Sequence, residues 1–509
     1  MVSSKMSKGG TFPYVPAFAL LTLFYIGVGL YDGPEWCVDS PSYESMDFSR
    51  EPVYPLFLLA LRKICEMLKI TAQPYGQPAY LTAAIILQSI LWIAAAIVLG
   101  KYVFDISARA LSDKRALILS AIAMGLQVAV SALNRFVAGR GSMYSEAIMT
   151  ESLAMPLFVI FTVLLQKSFD DYDKKKCLEL AALAVLMGSI RKQMLIVLIM
   201  WGFTSFVLHL FVKKYRSLNR FSYTAIAVVV AFFLINILDC TYNLAVRGVF
   251  AGHTGNSKGG LCTLLYTADY QDAVIFEDSD PEKFPEITLL YSEIYNDCVS
   301  QKLTIDYAPG YELKEKSNVL NSDWVAMASH YAESYDVIGF DVVLPRCDEY
   351  VSQHFPGLSG PMAMIKENEV EAELFKRLLS NSFSKIASGE DGGVVYVFTA
   401  NLLKAMVISN ANISPRVLVS VSFIIYIIFF VVFVLLLVRT KALYRTDEKG
   451  RDKELTTLRR RYLVMSFVVI SGLLINCVVT GSMIFPQPRY MCYSMGLFYL
   501  ALSCDILCQ

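Results

Sequence analysis

Ten stretches of this chain are apolar for long enough to approach the thickness of a bilayer, and no other feature narrows its fold as much. They lie at about 14–31, 80–100, 116–133, 152–166, 177–190, 193–212, 222–240, 415–438, 462–483 and 487–506. About 20 such residues in a helix cover the roughly 30 Å of hydrocarbon in a bilayer. Inside that layer every backbone polar group must be satisfied within the segment, which favours helices for runs of this kind. Composition agrees. The 509 residues are 55% hydrophobic and 18% charged, where a soluble domain carries about a quarter charged. The sequence predicts an all-α polytopic membrane protein of about ten transmembrane helices.

The formal net charge is zero, so the sorting of charge between loops carries the information. Basic residues collect at Lys101, Arg109, Lys114 and Arg115, at Lys167 and Lys174–Lys176, and at Lys213, Lys214, Arg216 and Arg220. The densest cluster lies between Arg439 and Arg461 and includes Lys449 and Arg451. If ten helices alternate, the positive-inside rule places all four loops and both termini in the cytoplasm. The first segment is longer than a signal-peptide core and no small-residue cleavage pattern follows it, so it reads as an uncleaved span. The run 177–212 would overshoot the bilayer by about 20 Å as one helix. A tight hairpin with Arg191 and Lys192 at its outer turn fits better. Counting 393–409 as a span would put the 439–461 loop outside, so it reads as an interfacial helix. Basic residues are scattered or sit at membrane boundaries, and nothing argues for nucleic acid.

Three regions follow. Residues 1–240 form an N-terminal transmembrane module whose first external loop is 32–79. Residues 241–414 form an extracytoplasmic domain, α-rich or α+β, with the interfacial helix; residues 415–509 are C-terminal transmembrane helices. Within the domain, Glu367 to Ile386 reads as an amphipathic helix, with Val370, Leu374, Leu378 and Phe383 near helical spacing. Cys65, Cys177, Cys477, Cys492, Cys504 and Cys508 lie in or beside apolar runs and read as buried thiols. Cys262, Cys298 and Cys347, with Cys37 and Cys240 nearby, are placed where an oxidising compartment would permit disulfides. No CxxC pair points to a cysteine metal site. His209, His253, His330 and His354 form no HxxxH pair, so no histidine metal site is expected.

This topology gathers charge on one membrane boundary from four connections. The first external loop brings Asp32, Glu35, Asp39, Glu44, Asp47 and Glu51; the second brings Arg135, Arg140, Glu146 and Glu151. The hairpin adds Arg191 and Lys192, and the final turn, FPQPRYMCY, adds Arg489 and Tyr490. Each has a plainer reading. Asp39 is one of six loop acids, and Asp32 and Asp47 are its rivals. Glu151 can complement a helix dipole. The cations can be interfacial anchors, and Tyr43 and Tyr54 can simply pack.

The residues resemble a family. DSPSY (39–43) followed by EPVYPLF (51–57) is similar to the first external loop of GT-C fold glycosyltransferases, such as protein mannosyltransferases and lipid A aminoarabinose transferases. TESL at 150–153, SIRKQ at 189–193 and the pair Arg489–Tyr490 follow in order. The resemblance implies that Asp39 is the catalytic base and that the donor is a polyprenyl-phosphate sugar. Many relatives carry a second acid directly after the aspartate, where Ser40 stands here. The long loop at 241–392 resembles nothing in the family.

The chemistry stands beside the name. Transfer to a hydroxyl requires removal of its proton as the oxygen attacks the anomeric carbon, and a positioned carboxylate does this for a factor of about 10² to 10⁴. Arginine binds the phosphate oxygens of the leaving group bidentately. One base and direct displacement invert the anomeric carbon. The expectation is an inverting glycosyltransferase of the plasma membrane with an extracytoplasmic active site. Asp39 is its base, and Tyr43, Tyr54, Glu151, Arg191, Lys192, Arg489 and Tyr490 are its substrate contacts. Partners are the polyprenyl-phosphate sugar, a glycan, lipid or protein acceptor, and membrane lipids. No metal site is expected, although a divalent cation with Glu151 as ligand stays open. A lipid-linked glycan polymerase or ligase, and a transporter or flippase, are the alternatives.

Overall fold

A computed structural model of the chain describes residues 11–136, 141–255, 257–309, 323–389, 393–413, 416–446 and 453–508. Arg140, Lys449 and Arg451 lie outside them. The described residues are helical, with no strand; Glu35 and Ala147 form an isolated parallel bridge.

The first helix of the described residues, α1 (Tyr14–Asp32), leads through the first loop into α2 (Val53–Met67). Tyr54, Leu58 and Leu61 of α2 are buried at helical spacing, while Leu56, Ile64 and Met67 stay exposed. An apolar residue on the free face suits a helix lying along a membrane surface. Then come α3 (Ala79–Ser107), α4 (Asp113–Phe136), α5 (Glu151–Asp170), α6 (Lys174–Ile190), α7 (Ile196–Phe211) and α8 (Leu218–Arg247). α3 and α4 meet closely at Gly100, where a Cβ would lie 2.7 Å from Met124 Cγ, and Ser120 Oγ donates to the Gly100 carbonyl at 2.8 Å. Small residues of this kind let membrane helices approach. The expected hairpin is present: α6 ends where Arg191 turns to extended φ/ψ, and a short 3₁₀ turn, Lys192–Leu195, leads into α7. α8 runs on to Arg247, beyond the boundary expected at 240, and stops at Gly248, whose φ of +75° caps it.

The domain that follows is built from α9 (Lys258–Tyr266), α10 (Ile287–Ser300), α11 (Trp324–Asp336), α12 (Leu344–His354) and α13 (Pro361–Ser388). Its core, including Tyr266, Ile294, Tyr331, Val342 and Leu374, is separate from that of the helical bundle. Of the two compositions expected for it, the described residues have the α-rich one. Cys262, Cys298 and Cys347 are buried in this core without a disulfide. They serve there as small apolar groups.

α14 (Gly393–Ala411), α15 (Arg416–Thr446), α16 (Lys453–Met483) and α17 (Met495–Leu507) complete the chain. Among the described residues ten helices are long and apolar enough to cross a membrane. That set includes α14 and omits α6, which has only 17 residues. The contacts of α14 distinguish it from its neighbours. Ser409 Oγ lies 3.3 Å from Cys477 Sγ, and a Cβ on Gly481 would meet Leu402 N at 3.2 Å, both near the C-terminal end of α16. Tyr499 reaches up from α17 to the Asn410 carbonyl at 2.7 Å. α14 therefore flanks one end of α16 before the chain turns into α15.

Candidate functional site

The first loop is pinned before it can present anything. Ser40, fully buried, accepts from Cys37 N and donates to the Ile148 carbonyl, both at 2.8 Å. Glu35 pairs its backbone with Glu146 and Ile148. Ser40 is thus a clamp between the two loops. A one-turn helix, Ser40–Glu44, follows and sets Asp39 at its start.

Asp39 is gripped from two sides. Arg50 Nη2 donates to Oδ1 at 2.9 Å and Arg489 Nη1 to Oδ2 at 2.6 Å. Burial works against its charge, but Arg489 and then Arg50 outweigh it and hold the carboxyl down at about 2, against an ordinary 3.8. Because the folded value is depressed, this contribution to stability is present above about pH 4 and lost as pH falls through 2. Thermal unfolding of wild type and Asp39→Asn is expected to differ by a constant amount at neutral pH. The gap should shrink from pH 4 towards pH 2; a constant gap down to pH 2 would remove the ion pairs as its cause.

Arg489 also ties Asp39 to a second, deeper acid. Glu151 is fully buried at the start of α5 and pairs with Arg191 Nη1, while Arg489 Nε lies 3.8 Å from its Oε1. Thr150 Oγ1 donates to its other oxygen at 3.1 Å. With guanidinium groups on one carboxylate oxygen and a hydroxyl on the other, Glu151 is arranged as an arginine anchor rather than a cation ligand. Among the described residues no three His, Cys, Asp or Glu side chains assemble as a metal site. Tyr490 stacks beneath both cations, with the Arg191 and Arg489 guanidiniums 4.5 and 4.8 Å from its ring.

The tyrosines of the first loop differ in role. Tyr43 lies under Arg50, 4.7 Å from its guanidinium, with its hydroxyl 3.4 Å from Thr150 Oγ1. Tyr54, fully buried, braces Tyr43 edge-on and donates to Gln88 at 3.0 Å. It supports the loop from below and does not reach the cavity above. Lys192 is one step removed too. Its backbone N–H donates to Glu51 at 2.6 Å, and its Nζ faces Asp239 at 3.6 Å, which also accepts from His253 N at 3.1 Å and lies 2.7 Å from His253 Nδ1.

Four connections therefore bring Asp39, Tyr43, Glu151, Arg191, Arg489 and Tyr490 together. Other boundary charges are spent elsewhere: Asp32 is paired with Arg135, Glu44 with the Tyr80 hydroxyl, and Asp47 accepts from Ser49 N at 2.8 Å. Glu146 sits sealed beneath the loop, its carboxyl pushed up to about 7 by burial. Sequence reasoning passed over Arg50, the one cation among the first-loop acids. Asp239 and Asn476 are further polar residues that it did not use. Asn476 Nδ2 and Gln193 Nε2 hold the Tyr490 carbonyl at 2.8 and 3.1 Å, fixing the final turn.

Asp39, Ser42, Arg50, Arg489 and Tyr490 line a cavity of about 770 Å³ whose far wall comes from the α-helical domain. A second, wholly apolar groove of about 480 Å³ lies between α7, α15 and α16, lined by Ile199, Phe203, Phe429, Phe433, Phe467 and Val479 among others. Its end at Val479 adjoins Thr480, which shares Gln193 with Asn476 and Tyr490. A charged chamber thus stands near an apolar groove in the bundle. No protein-family model, curated protein or solved structure matches this chain.

Proposed function

We propose that the chain is an inverting glycosyltransferase that moves a sugar from a polyprenyl-phosphate donor to an acceptor hydroxyl at the extracytoplasmic face of the plasma membrane. The observation that carries this reading is the bracketing of Asp39 by Arg50 and Arg489 at the wall of the large cavity. Arg50, Arg191 and Arg489 face the carboxylates Asp39 and Glu151, which leaves one positive charge in the group. A phosphodiester brings one negative charge, and the departing lipid phosphate gains another as the bond to the sugar breaks. The apolar groove between α7, α15 and α16 offers a place for the lipid tail.

In the reaction, the acceptor oxygen bonds to the anomeric carbon, the bond from that carbon to the phosphate oxygen breaks, and the acceptor proton passes to Asp39. A carboxyl held near 2 is a weak proton acceptor. The donor phosphate removes that obstacle by competing for Arg489 and Arg50. As they turn to phosphate, Asp39 loses its neutralising partners and becomes more basic when the acceptor needs it. The base is thus held idle until the donor is bound.

The test is direct. The full chain, reconstituted in nanodiscs with polyprenyl-phosphate hexoses, is expected to release polyprenyl phosphate only when an acceptor is supplied, with the sugar on the acceptor in inverted configuration. A lipid donor moved across the bilayer with its sugar intact would instead make the chain a transporter. Retained configuration would rule out single displacement from Asp39.

A further inference from the structure

The far wall of the cavity carries acid where an apolar stripe is expected. On α13, Glu367 and Glu371 lie on the same helical face as the buried Leu374 and Leu378, and both acids line the cavity. Glu371 is 3% exposed and its Oε2 has no hydrogen-bond partner. Its nearest cation, Lys258 Nζ, stands 3.9 Å from Oε1, too far for a hydrogen bond, and lies over the Phe340 ring. Asp336, at the end of α11, lines the same space. Burial pushes the Glu371 and Glu367 carboxyls upward against Lys258, and the Asp336 carboxyl upward against Arg489.

A buried carboxylate oxygen without a donor is costly to leave so. In a cavity wall it is arranged to accept from something that enters. The ligand class follows from the surroundings. Glu367 and Glu371 outnumber Lys258 at this end of the cavity and repel an anion, whereas Arg489 acts on Asp336 and, with Arg50, makes the Asp39 end the place for a phosphate. Lys258 already stands at the position a ligand ammonium would take beside Glu371. Phe340, Leu344 and Phe485 give the same chamber apolar faces. Hydroxyls for the acids and C–H faces for the rings together describe an uncharged sugar.

We propose that Glu371, with Glu367 and Asp336, forms a subsite for a neutral, hydroxyl-rich glycan in the cavity wall that the α-helical domain supplies. Its naming as the acceptor subsite rests on the transferase reading above; the binding itself does not. Hydroxyl donation to the carboxylates orients the glycan, and the shared cavity leaves one of its hydroxyls facing the Asp39 wall. The α-helical domain then selects the acceptor, while the bundle holds the donor.

The test measures binding rather than turnover. The full chain in nanodiscs is titrated with uncharged methyl hexosides and neutral oligosaccharides, and in parallel with glucosamine and glucuronate. Neutral sugars are expected to bind wild type. Glu371→Gln should weaken them about tenfold or more, the scale of a hydrogen bond to a charged acceptor. Its unfolding midpoint should be unchanged or raised, because an underpartnered buried charge is removed. Glu367→Gln gives a second reading should Glu371→Gln fail to fold. Glu369→Gln, on the exposed side of α13, should bind as wild type does. Asp39→Asn is assayed for transfer alone, so that a loss there is read apart from the binding lost in Glu371→Gln. Three results overturn the subsite: no neutral sugar binding to wild type, equal binding by Glu371→Gln, or binding confined to glucosamine or glucuronate. If Glu371→Gln loses binding while Asp39→Asn keeps full transfer, the subsite stands and the role of Asp39 falls.

Discussion

Asp39→Asn is expected to lower sugar transfer by about 10² to 10⁴, the range that a positioned general base contributes. Asparagine keeps the shape of the side chain and can still accept from Arg50 or Arg489, so the loop should stay folded over Ser40 and Ile148. What it loses is the ability to take the acceptor proton. The measurement is the rate of product formation at saturating donor, with donor affinity followed separately. A variant that binds donor as before and transfers at the wild-type rate would remove Asp39 from the chemistry. Arg489→Gln provides the complementary result. Donor binding should weaken, because a phosphate partner is gone, while Asp39 is freed from its strongest opposing charge. Unaltered donor affinity would place the phosphate elsewhere.

Glu151→Ala should have the largest effect on stability. The carboxylate is fully buried, and its loss strips Arg191 of its charged partner and leaves Asp39 as the carboxylate beside Arg489. Removing one member of a buried pair costs about 3–5 kcal/mol, mainly because the other charge stays where it was. Glu151→Gln should cost less, since it still accepts from Arg191 or Thr150. Unfolding of purified protein is the readout. A Glu151→Ala midpoint equal to that of wild type would mean that the arginines reach water or another anion. A Glu151→Ala, Arg191→Met double variant more stable than Glu151→Ala would show that the stranded charge is the cause.

Local chemistry made part of the site readable. Asp39, Glu151, Arg191 and Arg489 stand out because charges beside long apolar runs are few, and alternation of spans sends those four to the same end of the bundle. Tyr54 and Lys192 came with them by position along the chain. Position did not say that Tyr54 would face Gln88, or that the Lys192 side chain would turn to Asp239. Arg50 was in plain view, the lone cation among first-loop acids. Its partner could be chosen only once Ser42 had fixed its Nε at 2.7 Å and its tip met Asp39. Glu371 was hidden by its helix, since a glutamate one turn before Leu374 reads as ordinary scatter on an amphipathic face.

By itself the sequence determined the all-helical membrane architecture and the hairpin at Arg191, and it set apart residues 241–414 as a domain while leaving α-rich and α+β compositions both open. Those follow from the cost of exposing backbone polar groups in hydrocarbon and from helical periodicity, both local along the chain. Only the tertiary structure decided which charges neutralise each other. Residues as distant in sequence as Asp39 and Arg489 meet through the packing of separate helices. A guanidinium's partner depends on distances of a few ångströms, which spacing along a chain does not contain. The same folding left Glu371 against a cavity with an oxygen unmet, where a solvated helix face would have left nothing to bind.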